Sequence, residues 1–334
     1  MAELISVITL TYNQEKTIGR ALDSILRQRC HLPIEVVIGE DGSTDGTRAI
    51  CEDYARRFPG VIRLMPKAPN KGIARNYFDC LLACRGRYIA DCAGDDRWTD
   101  PLKLEKEVDV LEREPDVTLV HTAWVYQDER TGETSAPPPA PFPAPRTEGR
   151  QMLEAIVTQT DRPVIHSCTS LYRAETMLRA YRERPDFYRD ASFGCEDMQV
   201  AFALAARGTV AYLPDVTLAY SVGAPTASHR ADSAGQFRFV MGVTRLSHLL
   251  CRHAHLDSPA TRRYFRRRAF ALKMHAFRAH DELLSRLAAR LRREWGVRLT
   301  PAMALLDLVT AIPVAWRAGL WARRLLVRLK GHRG

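Results

Sequence analysis

The stretch YIADCAGDDRW runs from Tyr88 to Trp98 and joins an apolar segment to two adjacent acids. Residues 87–91 have the apolar character of a buried strand, and Asp95 and Asp96 follow where that strand should end. A carboxylate left without a partner in a core is costly. Two interpretations are open: the acids bind a metal ion, or they cap the helix that follows.

Strand and helix patterns alternate around this stretch. A helix with Ile18, Leu22 and Ile25 on one face follows the first strand, Asp45 is a candidate N-cap for the second helix, and a third covers 70–84. Thr99-Asp100-Pro101 opens a fourth, with proline in its first turn. The predicted strands cover 5–10, 34–39, 61–65, 87–91 and 117–127. Such β-α repeats with short links predict an α/β fold with a mostly parallel central sheet flanked by helices.

Length and composition indicate a globular protein. The chain has 334 residues, 46% of them hydrophobic, which is enough for one large or two ordinary domains. Its eight cysteines include no Cys-x-x-Cys pair, so we expect reduced thiols in a cytosolic protein and no zinc site. The N-terminus has an acid at position 3 and leads directly into a strand, so no signal peptide is predicted.

Polar residues follow each predicted strand. Ligands of open α/β sheets bind at the carboxyl ends of the strands. The first strand is not followed by Gly-x-Gly-x-x-Gly, so a dinucleotide-binding fold is unsupported. The sequence also has no P-loop motif, so a P-loop nucleotide site is unsupported. Hard carboxylate oxygens at such an edge suit Mg²⁺ or Mn²⁺ bound with a diphosphate. The residues concerned are Thr11, Tyr12, Asn13, Gln14, Glu40, Asp41, Ser43, Asp45, Asn70, Lys71, Arg75, Asn76, Asp95 and Asp96.

Taken together, four segments resemble the nucleotide-binding half of the family 2 glycosyltransferases, which have the GT-A fold. They are VITLTYNQEKTIGRALDSIL, EDGSTDGT, NKGIARN and YIADCAGDDRWTDPLKLEKEVDVLE. The resemblance runs from about Leu4 to Tyr220, and its motifs are specific only in combination. It implies an inverting transferase that uses a nucleotide-diphosphate sugar.

The resemblance also implies roles in binding the donor. Thr11, Tyr12 and Asn13 match the segment that lies along the base and ribose. Asp41 matches the acid that accepts a hydrogen bond from a uracil-type ring N–H, and Arg75 matches a basic residue near the base.

Asp95 matches the last acid of the family's Asp-x-Asp motif, which holds Mn²⁺ or Mg²⁺ on the diphosphate. The first acid of that motif is replaced by Ala93. Asp91, two residues earlier, should point to the same side of the strand, which allows partial compensation.

The segment FGCEDMQVAFALAARG (193–208) resembles the acceptor-site segment of these enzymes and places the catalytic base at Asp197, with Glu196 beside it. A positioned carboxylate that takes the proton of an attacking hydroxyl accelerates the reaction by roughly 10²–10⁴-fold. One base and one displacement imply inversion at the anomeric carbon. The alternative is that both acids only cap a helix.

The chain departs from the family further on. Many relatives carry Tyr-Arg-x-His where this chain has Tyr220, Ser221 and Gly223, and His229 is a weak substitute for the missing histidine. His166 fits either the acceptor channel or the core. The Gln-x-x-Arg-Trp motif of processive synthases is absent, which indicates transfer of a single sugar.

The C-terminal region is strongly basic. From residue 239 onward there are 20 Lys and Arg against 5 Asp and Glu, although the whole chain has a net charge of +10. Residues 261–295 have a helical pattern, and the apolar stretch from 302 is interrupted at Asp307, Pro313 and Arg317, which argues against a spanning helix. Trp316 and Trp321 beside Arg317, Arg323 and Arg324 suit a helix in the interface of an anionic membrane. The alternatives are that this region packs on the catalytic domain or a second subunit, or binds nucleic acid, for which no motif is present.

The sequence therefore predicts a GT-A domain over 1–232, with a nucleotide-binding half (1–115), an acceptor half (116–232) and a Pro-rich surface loop or lid at 135–145, followed by a basic helical tail over 233–334. The predicted donor is a UDP-sugar, with a dTDP-sugar second, and the acceptor is a hydroxyl of a glycan or lipid-linked precursor. We expect a cytoplasmic enzyme of cell-surface polysaccharide synthesis, peripheral at the inner membrane face, with homo-oligomerisation open and no nucleic-acid partner. Its rivals are a degenerate nucleotide-sugar-binding protein and a membrane scaffold.

Overall fold

The computed structural model describes residues 1–160, 162–223, 232–312, 316, 317 and 321. The chain forms two compact units, Met1–Ala224 and Pro225–Gly334, and each is described by itself. The sequence-based positions His229, Pro313, Arg323 and Arg324 lie outside the described residues.

The described part of the first unit contains a nine-stranded sheet with the order β3-β2-β1-β4-β8-β6-β9-β5, and β7 pairs with β9. The strands are β1 (Ala2–Thr11), β2 (Ile34–Glu40), β3 (Ile62–Leu64), β4 (Gly86–Asp91), β5 (Arg97–Trp98), β6 (Val117–Asp128), β7 (Arg146–Glu148), β8 (Ser170–Arg173) and β9 (Thr209–Val222). β1 to β4 pair in parallel, as do β6 and β9, and β8 runs antiparallel between β4 and β6. The carboxyl ends of β1, β2, β4, β6 and β9 therefore meet at one edge.

Helices cover both faces of this sheet. They are α1 (Ile18–Leu26), α2 (Thr47–Arg57), α3 (Ile73–Ala83), α4 (Lys103–Arg113), α5 (Gly149–Thr158), α6 (Ala174–Glu183), α7 (Pro185–Tyr188) and α8 (Asp197–Ala205). The faces predicted to be apolar are buried: Ile18, Leu22 and Ile25 in α1, and Leu104 and Leu111 in α4. Full burial of each such side chain stabilises the fold by roughly 1.5–3 kcal/mol.

The predicted α/β sheet with flanking helices is confirmed, and several details differ. The sheet is mixed rather than mostly parallel beyond β4, because the acceptor half enters it through β8. Helix α2 begins after Gly46, although Asp45 still accepts hydrogen bonds from the Thr47 N–H and hydroxyl. Helix α4 begins at Lys103, two residues later than Pro101, and residues 97–98 before it pair with β9. The Pro-rich loop is a largely exposed surface segment.

The second unit is helical, as its sequence pattern predicts. It comprises α9 (Ser233–His253), α10 (Pro259–Ala279), α11 (Glu282–Glu294) and α12 (Pro301–Ala311), and α10 contacts the other three. Ser258 and Thr261 form a capping box at the start of α10, which satisfies backbone N–H groups that the helix leaves open. Among the described residues, no helix combines the length and apolar character that crossing a bilayer requires.

Candidate active site

The loops after β1 and β2 are joined by side-chain hydrogen bonds at the carboxyl edge. Asn13, in a left-handed conformation with φ of 53°, accepts from the Thr44 N–H at 2.8 Å. The Asn13 N–H in turn donates to Ser43 Oγ at 2.9 Å, and the Gln14 N–H donates to Thr47 Oγ1 at 2.7 Å. These bonds fix the two loops as one unit, with the Tyr12 ring exposed on it.

Asp41 joins this unit to the loop before α3. Its two carboxylate oxygens accept from the Lys71 N–H at 2.9 Å and the Gly72 N–H at 3.0 Å. Gly72 has a φ of 84°, a conformation that favours glycine, and this presents its N–H to the carboxylate. Arg75, one turn into α3, is exposed, and its Nε donates to the Arg189 carbonyl at 3.3 Å. Asp41 is therefore buried and fixed while Arg75 remains at the surface.

Two oxygens near the end of β1 are buried without a hydrogen-bond partner. They are Thr11 Oγ1 and Gln14 Oε1. Both lie against Gly94: a Cβ added there would stand 2.8 Å from Thr11 Oγ1 and 2.5 Å from Gln14 Oε1. A side chain at position 94 would therefore require Thr11 or Gln14 to move.

The backbone of Asp95 is held by residues that are distant in sequence. Its carbonyl oxygen accepts from Arg20 Nη2 at 3.1 Å and lies 2.5 Å from Ser221 Oγ. Arg20 makes a two-pronged ion pair with Glu129 at 2.8 and 3.2 Å, and Ser221 Oγ lies 2.7 Å from Glu129 Oε1. We call Arg20, Glu129 and Ser221 the clamp. It connects α1, the end of β6 and the end of β9 to the loop of Asp95, and leaves the Asp95 carboxylate outside these contacts.

Asp96 is turned into the interior. Its Oδ1 accepts from the Ser221 N–H at 3.1 Å. Possible ligand atoms of Asp96, His166 and Cys168 all lie within 4.8 Å of one another, and all three side chains are buried. His166 Nδ1 accepts from the Cys168 N–H at 3.3 Å, so the neutral ring carries its proton on Nε2. Burial raises the pKa of Asp96 well above its usual range and lowers that of His166 to about 4. This cluster is an internal hydrogen-bonded group.

The surroundings of Asp95 fit a hard divalent cation. Burial raises the pKa of its carboxyl, and the nearby Glu129 charge adds to that rise. A cation would offset both effects, because it favours the ionised form. The unpartnered oxygens of Thr11 and Gln14 lie on the same loop edge. Asp95 is thus placed where a divalent cation could be held at this edge, whereas the Asp96 carboxylate is turned inward.

Asp91 occupies a separate, buried position. Its Oδ2 accepts from the Tyr77 hydroxyl at 3.4 Å, and its Oδ1 has no hydrogen-bond partner. The Tyr77 hydroxyl also lies 2.5 Å from that of Tyr172. Burial raises the pKa of Asp91 to about 7. Ala93, by contrast, packs against the apolar core and its N–H donates to Cys168 Sγ at 3.3 Å. Asp91 therefore does not reproduce the position of the acid that is absent at 93.

Glu196 and Asp197 stand at the N-terminus of α8, and both are half-buried. Asp197 Oδ1 accepts from the Met198 N–H at 2.7 Å. Burial raises the pKa of both carboxyls, and the charges of Asp197 and Asp91 raise that of Glu196 further. No ion pair to either acid is present among the described residues. The helix N-terminus favours the ionised form, but burial outweighs it, and a carboxylate with a raised pKa suits a group that takes up a proton.

His166 and Tyr220 pack beside Asp96. Their ring centroids are 4.6 Å apart, and the His166 ring also lies 5.6 Å from Trp124. Burial and the charges of Asp96 and Asp95 raise the pKa of the Tyr220 hydroxyl. The core interpretation of His166 describes its surroundings better than an open channel does.

The structure thus gathers Thr11, Tyr12, Asn13, Asp41 and Asp95 at one edge. Sequence reasoning missed the clamp, although it noted Ser221 as the replacement for the family arginine. It also missed Gly94, for which the run of small residues after β4 was the only signal.

Comparison with protein-family models matches residues 6–178 to the family described as Glycosyl transferase family 2. That segment is more than half of the 334 residues. It contains every proposed donor-site residue, and Glu196 and Asp197 lie beyond its end.

Two curated relatives illustrate the match. An uncharacterised Mycobacterium tuberculosis protein is 42% identical over 135 residues, which are 40% of this chain and 39% of the relative. The Bacillus subtilis protein TuaG, named as a teichuronic acid biosynthesis glycosyltransferase, is 36% identical over 108 residues, 32% of this chain and 42% of the relative. The matched segment thus spans about two fifths of each relative's length.

Two solved structures share the fold. S. aureus TarS 1-349 in complex with UDP-GlcNAc has a TM-score of 0.59 at 17% identity, with 96% of this chain and 92% of that chain covered. The Pyrobaculum calidifontis mannosyltransferase PcManGT in complex with GDP-Man and Mn²⁺ has a TM-score of 0.53 at 20% identity, with coverages of 97% and 84%. At these identities the likeness establishes the GT-A fold.

Proposed function

The chain belongs to glycosyl transferase family 2, and from that premise we propose that it transfers a single sugar from a nucleotide-diphosphate sugar to an acceptor hydroxyl, with inversion. The observation that carries the proposal is the convergence of the β1, β2 and β4 loops on one polar edge, with the Asp95 carboxylate left outside the clamp. Such an edge is where open α/β sheets bind nucleotides.

The proposed donor is a UDP-sugar, with a dTDP-sugar as the second choice. Asp41 is buried and held by two backbone N–H groups, which fixes the orientation of its carboxylate and supports its role as acceptor for a ring N–H. The exposed Tyr12 ring and Arg75 are free to contact the base. TarS, bound to UDP-GlcNAc, is in keeping with this choice, whereas the GDP-Man complex of PcManGT makes the base a matter for experiment.

Asp95 would hold Mn²⁺ or Mg²⁺ against the diphosphate. When bound, the ion would stabilise the negative charge that develops on the departing diphosphate. The clamp fixes the backbone of Asp95, and Gly94 leaves room for Thr11 and Gln14 to face the same place. The protein would therefore present a preorganised oxygen ligand before the donor arrives.

Asp197 is the proposed general base, with Glu196 as its neighbour. An acceptor hydroxyl is a weak nucleophile, and a carboxylate with a raised pKa is better matched to taking its proton near neutral pH. The proton moves to Asp197 as the acceptor oxygen bonds to the anomeric carbon and the bond to the diphosphate breaks. Attack from the side opposite the diphosphate inverts the anomeric configuration.

The proposed acceptor is a glycan or lipid-linked precursor of a cell-surface polysaccharide. The name of the relative TuaG, which refers to teichuronic acid biosynthesis, supports this class. The basic second unit supports a location at the inner face of an anionic membrane.

Ala93 motivates a second candidate, a nucleotide-sugar-binding protein without turnover. This candidate requires donor binding that never leads to transfer or hydrolysis. The acids Glu196 and Asp197 at the start of α8 favour the enzyme, because a site that only retains a nucleotide has no need for a proton acceptor.

The test is nucleotide release by the purified full-length chain from a panel of UDP-, dTDP- and GDP-sugars with Mn²⁺. We expect release from a UDP-sugar, its loss on chelation of the metal, and a product of inverted configuration by NMR of the anomeric proton. Binding without any release across the panel would favour the second candidate. Retention of configuration would contradict the single-displacement mechanism.

A further inference from the structure

Helix α12 has the reverse of the polarity expected of a surface helix. Its only charged residue, Asp307, pairs with Lys273 of α10, and Lys273 is almost fully buried. Met303, on the same side, is also buried. A surface helix normally turns charged residues to water and apolar residues to the core. In α12 the charge is directed toward the neighbouring helix.

The outward face of α12 is aliphatic. Leu305 is 61% exposed, Leu308 60% and Ile312, directly after the helix, 48%. Spacings of three and four residues place these side chains on one stripe of a helix. Leu299, just before the helix, is 50% exposed as well. We call Leu305, Leu308 and Ile312 the outer stripe. Isolated exposed leucines are ordinary, but an aligned set without a charge among them marks an interaction surface.

The two tryptophans of this region differ in their surroundings. Trp316 is buried, lies against the rings of Phe277 and His280, and donates from Nε1 to the Phe277 carbonyl at 3.0 Å. Trp321 is 67% exposed. The sequence suggested that both tryptophans contact lipid. In the structure only Trp321 is available to do so.

Charge indicates the partner. Residues from 239 onward carry 20 basic against 5 acidic residues. A second copy of the same face would bring two strongly basic units together, which is electrostatically unfavourable. An anionic lipid surface offers the opposite charge and an apolar layer beneath it. The exposed arginines of α10 and α11 include Arg262, Arg263, Arg266, Arg267, Arg286, Arg290 and Arg293.

We propose that the outer stripe of α12 and Trp321 insert into the interface of an anionic membrane, with the arginines of the second unit at the headgroups. The inference rests on the membrane location in the proposed function and adds the face that makes the contact. An 11-residue helix is about 16 Å long, so it lies in the interface rather than crossing the bilayer.

The experiment uses the full-length chain and sedimentation with vesicles of equal parts phosphatidylglycerol and phosphatidylcholine, or of phosphatidylcholine alone. The variant is Leu305→Ser with Leu308→Ser. The matched control is Leu82→Ser with Leu102→Ser, two exposed leucines of the first unit. We expect the wild type to bind the anionic vesicles, the α12 variant to bind at least tenfold more weakly, and the control to bind like the wild type.

Two further readouts separate the explanations. Unchanged circular dichroism and nucleotide release without vesicles would exclude unfolding, since neither leucine is a proposed site residue. Trp321→Ser should weaken vesicle binding by severalfold without changing the oligomeric state.

Each contrary result has its own meaning. Wild-type binding that the α12 variant retains in full would overturn the proposed face but leave the membrane location standing. No wild-type binding to anionic vesicles would overturn both, while the donor site would be untouched. Self-association lost in the variant, without vesicle binding, would identify a second copy as the partner and contradict the proposal.

Discussion

Asp95 and Asp96 are held by residues from three distant parts of the chain, whereas Glu196 and Asp197 are held mainly by their own helix. In the first pair, Arg20 and Ser221 fix the Asp95 backbone and the Ser221 N–H fixes the Asp96 carboxylate. In the second pair, Asp197 accepts from the next residue along the chain.

The difference separates two kinds of carboxylate site. A ligand for a metal and diphosphate must be rigid, because the ion demands a fixed oxygen geometry. A general base needs a suitable pKa and access to the acceptor. Burial raises the pKa of Asp197 and so meets the first of these needs. The two acidic pairs look alike in the sequence, but Asp95-Asp96 is predicted to serve donor binding and Glu196-Asp197 to serve proton transfer.

The largest expected effect is on the second pair. Asp197→Asn should lower the rate of transfer by roughly 10²–10⁴-fold, because the amide cannot take the acceptor proton. Metal-dependent nucleotide binding should stay as in the wild type, since Asp197 is not a donor ligand. Steady-state transfer and calorimetric UDP titration measure the two quantities. Glu196→Gln is the control and should have the smaller effect. An equal loss of transfer rate in both variants would contradict the assignment of Asp197 alone as the general base.

A smaller effect is expected when the clamp on the first pair is weakened. Ser221→Ala removes the hydroxyl that contacts the Asp95 carbonyl and Glu129, and supporting groups of metal ligands typically contribute about 10–100-fold in affinity or activity. We expect the concentration of Mn²⁺ that gives half-maximal turnover to rise by about that factor.

The control for the clamp is Ser135→Ala. Ser135 is an exposed serine whose hydroxyl also hydrogen-bonds the backbone. If Ser221→Ala changes the maximal rate but not the Mn²⁺ requirement, the clamp does not position the metal ligand.

The smallest effect on activity, but a distinct one on stability, is expected at Asp91. Its pKa is about 7 in the fold, above the ordinary value near 4, so the folded state holds a proton that the unfolded chain releases. Stability is therefore favoured at low pH and lost as the pH rises from about 4 to about 7, by up to about 4 kcal/mol. Asp91→Asn should stabilise the protein more at about pH 8 than at about pH 5 in urea unfolding.

At Asp79 the pH dependence of stability is expected to run in the opposite direction, and Asp79→Asn tests this. Hydrogen bonds from Lys71 and Arg189 lower the pKa of Asp79 despite its partial burial, so its contribution is present above the unfolded pKa and lost on acidification. The variant should be destabilised at neutral pH and approach the wild type in acid.

For Asp91, parallel pH profiles of stability for the wild type and Asp91→Asn would show that the Asp91 carboxyl is not buried as described.

The sequence alone predicted β1 to β4 and β6, helices α1 to α4 and the edge at which the polar loops meet, because strand and helix periods repeat locally and parallel strands share a carboxyl edge. The clamp could not be predicted, since Arg20 and Glu129 are 109 positions apart and Asp95 and Ser221 are 126 apart. The inward direction of Asp96 and the burial of Asp91 beside Tyr77 depend on tertiary packing as well. For α12, composition indicated an apolar helix, but only the Lys273–Asp307 pair shows which side faces outward.

The most direct measurement is calorimetric titration of the full-length protein with UDP, dTDP, GDP and CMP, with and without Mn²⁺, repeated on Asp95→Ala. The account predicts that UDP binds most tightly, that this binding requires the metal, and that Asp95→Ala abolishes it. Equal UDP affinity with and without Mn²⁺, or unchanged metal-dependent binding in Asp95→Ala, would contradict the assignment of Asp95 as the ligand that holds the donor diphosphate.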